Sequence, residues 1–148
     1  MQVRPGLYFH HPDCLSHDPR VQMPEHPDTP ERLIAIEKAL AAHDWLGWER
    51  RLAPPAQESQ LELIHGRGHV LRIKEMSRAG GGAIDPDTFV GELSYRAALR
   101  AAGGACEMTR ALIAREAQVA FCGVRPSGHH AEPDRAMGFC LFNNVAIA

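Results

Sequence analysis

The sequence predicts an α/β fold in which a largely parallel β-sheet is flanked by helices. Two short apolar runs, residues 6–10 and 118–124, have the length and composition of buried strands. Helical spacing of apolar residues fills much of the chain between them, and no internal repeat interrupts this order. Strands that alternate with helices favour a parallel sheet, because each crossover helix returns the chain to the same end of the sheet.

The first helix is predicted over residues 30–42 from its start signals and its apolar spacing. Thr29 is a candidate N-cap, Pro30 suits the first helical position, and Glu31 complements the helix dipole. The apolar residues that recur at helical spacing are Leu33, Ile36 and Leu40. A loop rich in proline, histidine and aspartate, residues 14–27, separates this helix from the first strand.

The middle of the chain is predicted to contain short elements and one long helix. In chain order these are a strand within residues 45–55, helices over 58–64 and 70–78, a loop over 83–91 and a helix over 92–116. The long helix carries Gly103 and Gly104 at its centre, where each glycine costs about 1 kcal/mol relative to alanine. We therefore expect another element to approach the helix closely there. A last helix is predicted to begin after Asn143, a candidate N-cap.

Composition and charge argue against several classes of function. The chain is 45% hydrophobic and 23% charged, and its net charge of -2 gives no reason to expect nucleic acid or an anionic membrane as a partner. No apolar stretch approaches the roughly 18 residues that a membrane span requires. The N-terminus lacks the apolar core of a secretory signal. The four cysteines show no C-x-x-C spacing, so we expect reduced thiols in a cytoplasmic protein.

The loop after the last strand carries the residues best suited to chemistry. His129 and His130 are adjacent, and Gly128 before them allows a sharp turn of the backbone. Gly138 and Phe139 offer a small residue beside an aromatic wall. Imidazole titrates at roughly pH 6.5, and loops at the carboxyl ends of parallel strands often form active sites. Both rings could face one cavity as a neutral base and a cation, or else could simply bond backbone carbonyls.

Other histidines form weaker candidate metal sites. Two groups qualify, His10 and His11 with His17 and Asp18, and His65 with His69 at helical spacing. The second pair lacks the glutamate of the H-E-x-x-H motif and encloses two glycines. Histidines near loops are common, so we expect neither group to bind a metal ion. His26 is expected to tether the loop before the first helix.

The run RPSGHHAEPDRAMGFCLFNNVAIA, residues 125–148, closely resembles the signature of the zinc-dependent histone deacetylases. It is most similar to the class II-like bacterial and eukaryotic branch, and the related acetylpolyamine amidohydrolases share much of it. Further similar segments, in order, are HPDTPERL at 26–33, IH at 64–65 and DPDT at 85–88. The resemblance runs from about Tyr8 to Ala148, although Ser127 stands where the family usually has a second proline.

The resemblance implies roles for particular residues of this sequence. His130 matches the general base and acid, which takes a proton from metal-bound water and later protonates the leaving amine. His129 matches the histidine that stays charged and helps to stabilise the tetrahedral intermediate. Gly138 and Phe139 match the backbone and ring that line the acyl-lysine tunnel. Asp85 matches the rim aspartate that grips the substrate backbone, or else it is a plain turn residue.

The same resemblance implies an arginase/deacetylase-like fold that is incomplete in this chain, with residues 1–148 as the N-terminal part of a single deacetylase domain. It implies a Zn²⁺ cofactor whose ligands lie downstream of Ala148. No metal ligand is therefore predicted in the chain, and the chain alone is expected to be inactive. The implied substrate is an acetylated lysine peptide. The alternatives are an acetylated small amine, as in an acetylpolyamine amidohydrolase, and a non-catalytic, truncated or binding form of the fold.

Overall fold

The computed structural model describes residues 5–148, and the predictions for the N-terminus and the domain fall partly on residues 1–4, outside this range. The strands are β1 (Leu7–His10), β2 (Glu49–Leu52), β3 (Gly81–Asp85), β4 (Thr88–Gly91) and β5 (Ala120–Gly123). The α-helices are α1 (Glu31–Ala42), α2 (Glu58–Leu61), α3 (Arg67–Arg78), α4 (Ser94–Ile113) and α5 (Asn144–Ile147). Short 3-10 turns occupy Pro12–Ser16, Pro19–Val21 and Asp44–Gly47.

A parallel sheet in the order β2-β1-β5 confirms the predicted fold class. Tyr8 of β1 pairs in register with Arg50 of β2 and with Phe121 of β5. On one face of the sheet, β1 shares a buried cluster with α4 and the turn after it. The members of this cluster are Leu7, Phe9, Ala111 and Ala117. On the other face, the hydroxyl of Tyr8 donates to Glu37 Oε1 of α1 at 3.3 Å, so helices cover both faces of β1.

A second buried cluster fixes the end of the histidine loop, which we define as residues 124–143. This cluster joins α3, α4 and the β3-β4 pair to the end of that loop. Its members include Leu61, Ile73, Val90, Leu141 and Phe142. Leu141 and Phe142 are fully buried although they lie in no strand or helix. Burial of a side chain of this size stabilises the fold by about 1.5–3 kcal/mol, so Leu141 and Phe142 hold the end of the loop against the core.

Residues 83–91 lie in a hairpin, so the predicted loop is wrong. β3 and β4 pair antiparallel, with Gly82 opposite Val90 and a register shift before Asp85. The glycines and aspartates of GGAIDPDTFVG hide the alternation that identifies a strand. Val90 is nevertheless fully buried, because the packing of the hairpin on α3 and α4 overrides these weak local preferences.

The start of α1 and its buried face also differ from the prediction. Pro30, rather than Thr29, occupies the N-cap position, and no side chain caps the helix. Leu33 is buried, whereas Ile36 is 43% exposed, and both residues line a cavity. The remaining helices keep their predicted places with shorter or shifted ends.

Gly103 lies where α4 meets the chain after β2, which confirms the close approach expected at this point. A Cβ atom on Gly103 would overlap the carbonyl oxygen of Pro54 and lie 2.6 Å from the amide nitrogen of Ala56. The obstacle is backbone, which cannot move aside as the end of a flexible side chain can.

Gly103→Ala is therefore expected to lower the free energy of unfolding by about 1–3 kcal/mol, because the methyl group forces α4 away from this backbone. The midpoint of urea unfolding measures the change. Gly68→Ala in α3 is the matched control, since a Cβ atom there meets no atom within 4 Å. That substitution is expected to stabilise the helix by up to about 1 kcal/mol. Equal effects of the two substitutions would contradict the close packing at Gly103.

The helices and cysteines of the described residues bear on two of the sequence predictions. None of the helices within residues 5–148 combines the length and apolar composition needed to cross a bilayer. The cysteines are free thiols, at Cys14, Cys106, Cys122 and Cys140. Burial raises the pKa of Cys14 to about 11 and that of Cys122 to about 12, so both stay protonated at neutral pH.

Candidate active site

A cavity of about 540 Å³ opens between α1, the end of β5 and the histidine loop. Leu33 and Ile36 of α1 line one side, and residues 121–125 line another. Its position beside the carboxyl end of a parallel strand is typical of α/β binding sites. The cavity also collects most of the residues predicted to carry chemistry, namely His129, His130, Gly138 and Phe139.

The histidine loop places His129 and His130 side by side. Their ring centroids are 4.2 Å apart, their planes are inclined by 50°, and both residues are exposed. Gly128 permits this arrangement by a close approach, since a Cβ atom on it would lie 2.5 Å from the amide nitrogen of Asn144. The loop thereby presents both imidazoles to one cavity, where they can exchange protons with a bound molecule.

Gly138 and Phe139 form the tip of a tight turn against His130. Both have a left-handed backbone, with φ of 56° and 69°, and Met137 pairs with Cys140 across the turn. A Cβ atom on Gly138 would lie 2.8 Å from Cβ and Cγ of His130, so glycine leaves the room that the imidazole occupies. For a residue such as Phe139, the left-handed conformation costs about 1–2 kcal/mol, which its contacts must offset.

Phe139 is held in this conformation by Thr88 and His26. Its N–H donates to Thr88 Oγ1 at 3.2 Å, and the His26 ring meets its ring edge-on with 4.7 Å between centroids. His26 is itself fixed on both sides. Its Nε2 donates to the carbonyl of Asp87 at 2.8 Å, and its Nδ1 accepts from the N–H of Asp28 at 3.0 Å. His26 therefore acts as the expected tether and also supports the wall of the cavity.

Asp85 does not line the cavity that holds the other predicted residues. Its Oδ1 accepts from the N–H of Asp87 at 3.0 Å, and its side chain borders a separate groove with Asp134 and Arg135. Asp87 lines the main cavity instead, where Thr88 Oγ1 donates to its Oδ1 at 3.0 Å. The geometry therefore places Asp85 in the turn and apart from this cavity, and its part in substrate binding stays a prediction. The sequence could not separate the two aspartates without the hairpin that orients them.

A buried charge network at the edge of the cavity was not indicated by the sequence. Arg125 Nη2 and Asp28 Oδ1 form an ion pair of 2.9 Å, and both residues are buried. Arg125 also donates to the carbonyl of His17 at 2.5 Å, and His17 Nδ1 lies 2.7 Å from Ser94 Oγ. Burial, reinforced by the charge of Arg125, lowers the pKa of His17 to about 4. His17 is therefore neutral at pH 7 and serves as a structural group.

The histidines considered as metal ligands make other contacts. His11 Nδ1 accepts from the N–H of Asp13 at 3.1 Å. His65 and His69 bond backbone groups of the histidine loop. Within residues 5–148, no three side chains of histidine, cysteine, aspartate or glutamate converge where they could hold a metal ion.

Residues 26–148 match the family model of the histone deacetylase domain. The chain belongs to the histone deacetylase family. This deacetylase-family chain is 40% identical over 124 residues to the histone deacetylase-like amidohydrolase of Pseudomonas aeruginosa, covering 84% of this chain and 32% of that protein. It is 37% identical over 145 residues to a probable deacetylase of Archaeoglobus fulgidus, covering 96% of this chain and 39% of that protein.

A solved structure of the same family confirms the deacetylase fold that the resemblance implied. The crystal structure of the HDA15 HD domain superposes with a TM-score of 0.91 at 31% sequence identity. The match covers 97% of this chain and 42% of that one. The chain thus spans less than half the length of each of these three deacetylase-family relatives.

Proposed function

We propose that this chain is the N-terminal part of a deacetylase domain that hydrolyses the amide of acetylated lysine side chains. One observation carries this proposal: the imidazoles of His129 and His130 lie 4.2 Å apart in a cavity walled by Phe139. An acyl-lysine chain beside that ring would bring its amide close to two groups that can exchange protons. Membership of the histone deacetylase family supports the reaction class.

In the proposed reaction, His130 transfers protons and His129 stabilises charge. His130 takes a proton from the water that attacks the amide carbon, and it returns a proton to the departing amine. His129, as a cation, faces the negative charge that develops on the carbonyl oxygen. Asp87 lines the cavity, whereas Asp85 does not, and Asp87 accepts hydrogen bonds from the substrate backbone. Gly138 has no side chain and so leaves free the space that the His130 ring occupies.

Zinc, the cofactor implied by the family, would lower the pKa of water from about 15.7 to roughly 7 and so make it an effective nucleophile. The described residues do not fit such an ion, because no three potential ligands converge among them. We therefore propose that the ligands belong to a part of the domain outside these 148 residues, which alone do not hydrolyse amides. The place of β5 at the edge of the described sheet supports this, because an edge strand leaves backbone groups that a further strand of the domain can pair.

Acetate release by the complete gene product tests the proposed function. The expected result is release from an acetyl-lysine peptide that a chelator abolishes and added Zn²⁺ restores. Faster turnover of an acetylated diamine would indicate an acetylpolyamine amidohydrolase instead. No release from either substrate by a folded, zinc-loaded protein would favour a non-catalytic form of the fold.

The mass of the native protein and the activity of the 148-residue chain give a second test of the proposal. Its mass is 16.3 kDa, so the intact mass of the native protein shows whether further residues accompany it. We expect a larger native protein and no turnover by residues 1–148. Acetate release by the short chain that survives chelation would contradict its proposed inactivity.

A further inference from the structure

A residue outside the histidine loop bridges the neck of the loop, which we define as residues 132–133 on one arm and 143 on the other. His65 lies between α2 and α3 and is 2% exposed. Its Nδ1 lies 3.1 Å from the carbonyl oxygens of both Glu132 and Pro133. The N–H of Asn143 donates to its Nε2 at 2.9 Å. One imidazole therefore joins the two arms of the loop on either side of residues 138–139.

These contacts are compatible with only one form of the His65 ring. Both partners of Nδ1 are acceptors, so Nδ1 carries the proton, whereas the partner of Nε2 is a donor, so Nε2 is unprotonated. The neutral Nδ1–H tautomer satisfies both nitrogens of the ring. A protonated ring would set its Nε2–H against the N–H of Asn143, and that hydrogen bond would be lost.

Neighbouring bonds attach the same loop to the start of α3. The N–H of Gly66 donates to the carbonyl of Pro133 at 3.1 Å. His69 Nε2 lies 2.9 Å from the carbonyl oxygen of Leu141, to which it donates. Every one of these bonds is made to the loop backbone, so together they set the path of the loop whatever side chains it carries.

We propose that His65 is a positioning residue for the hydrolysis proposed above, on which this inference rests: its neutral imidazole clamps the neck of the histidine loop and thereby holds Gly138 and Phe139 against His130. The effect is transmitted through the backbone, because His65 itself does not line the cavity. Since a catalytic group displaced by about 1 Å can lose 10²-fold in rate, a clamp of this kind affects turnover without touching the substrate.

Acid is expected to open the clamp. Burial lowers the pKa of His65 below its ordinary value, so the ring stays neutral at neutral pH and becomes charged only in more acidic solution. The ionisable groups that face it are His69, with 5.0 Å between ring centroids, and Asp134. Burial lowers the pKa of both histidines; the charge of Asp134 offsets part of this lowering, whereas Arg72 adds to it at His69.

The kinetic test compares His65→Leu and His65→Gln in the complete protein. Leucine removes all the hydrogen bonds of the ring, and we expect kcat to fall by about 10- to 100-fold with little change in KM. Glutamine offers an N–H and a carbonyl oxygen but does not titrate, so it should restore part of kcat. His43→Leu, at an exposed histidine, is the control and should keep wild-type kinetics. Unchanged kcat in His65→Leu would overturn the positioning role.

Two NMR measurements on the wild-type protein test the clamp independently of activity. The imidazole nitrogen shifts of His65 should show the Nδ1–H tautomer. The Asn143 amide should be protected from exchange with solvent at neutral pH, and its protection factor relative to an unprotected amide at the same pH should fall in acid. The Nε2–H tautomer, or rapid exchange at Asn143 at neutral pH, would overturn the clamp even if His65→Leu fails to fold. A wild type that releases no acetate would refute the proposed function, whereas these two readouts would still decide the clamp.

Discussion

Replacing His130 with alanine in the complete protein is expected to lower kcat for acetyl-lysine hydrolysis by about 10²–10⁴-fold, the range that general acid-base catalysis contributes. Alanine can neither take the proton of the attacking water nor protonate the leaving amine. His130 is exposed in its cavity, so the free energy of unfolding should change by no more than about 0.5 kcal/mol. Steady-state kinetics on an acetyl-lysine peptide, paired with urea unfolding, measure both quantities.

His43→Ala is the matched control for the loss of an exposed imidazole. His43 follows the end of α1 and does not line the cavity, so its loss should leave kcat unchanged. If His130→Ala keeps the wild-type kcat and zinc content, proton transfer belongs to another group and the assignment of His130 is wrong.

Gly138→Ala is expected to lower kcat/KM by about 10²-fold while the protein stays folded. The added methyl group would lie 2.8 Å from Cβ and Cγ of His130, so the imidazole must move. Displacement of a catalytic group by about 1 Å is enough for a loss of this size. The φ of 56° at this position adds a backbone strain of about 1–2 kcal/mol, which urea unfolding detects.

Gly47→Ala separates the strain from the displacement of His130. Gly47 has a similar φ of 69°, but a Cβ atom there meets nothing within 4 Å. Both substitutions should lower stability by similar amounts, and only Gly138→Ala should lower activity. Wild-type activity in Gly138→Ala would show that the His130 ring tolerates the methyl group, and equal activity losses would point to strain alone.

Local signals in the sequence were sufficient for the framework that positions the site. Short apolar strands and helical periodicity predict the parallel sheet, because each pattern reflects which side of one element is buried. Gly103 in the long helix predicts a close approach, because only a packing demand explains glycine at that point. The run from Arg125 to Ala148 identifies the family and places both histidines on one loop.

The predictions were wrong where a local pattern is weak and distant packing decides. The segment 83–91 forms strands because Val90 is buried between α3 and α4, although glycine and aspartate disfavour strands. That hairpin also decides which aspartate reaches the cavity, since it turns Asp87 inward and uses Asp85 to close the turn.

The sequence therefore determined the fold class, the family and the loop that carries the paired imidazoles, all of which depend on residues close together in the chain. Only the tertiary structure decided how that loop is held. Arg125 meets the carbonyl of His17 across 108 positions of sequence, and Asn143 meets His65 across 78. Such partners are unpredictable from local pattern because a buried polar group takes whichever partner the packing of distant elements brings within hydrogen-bonding distance.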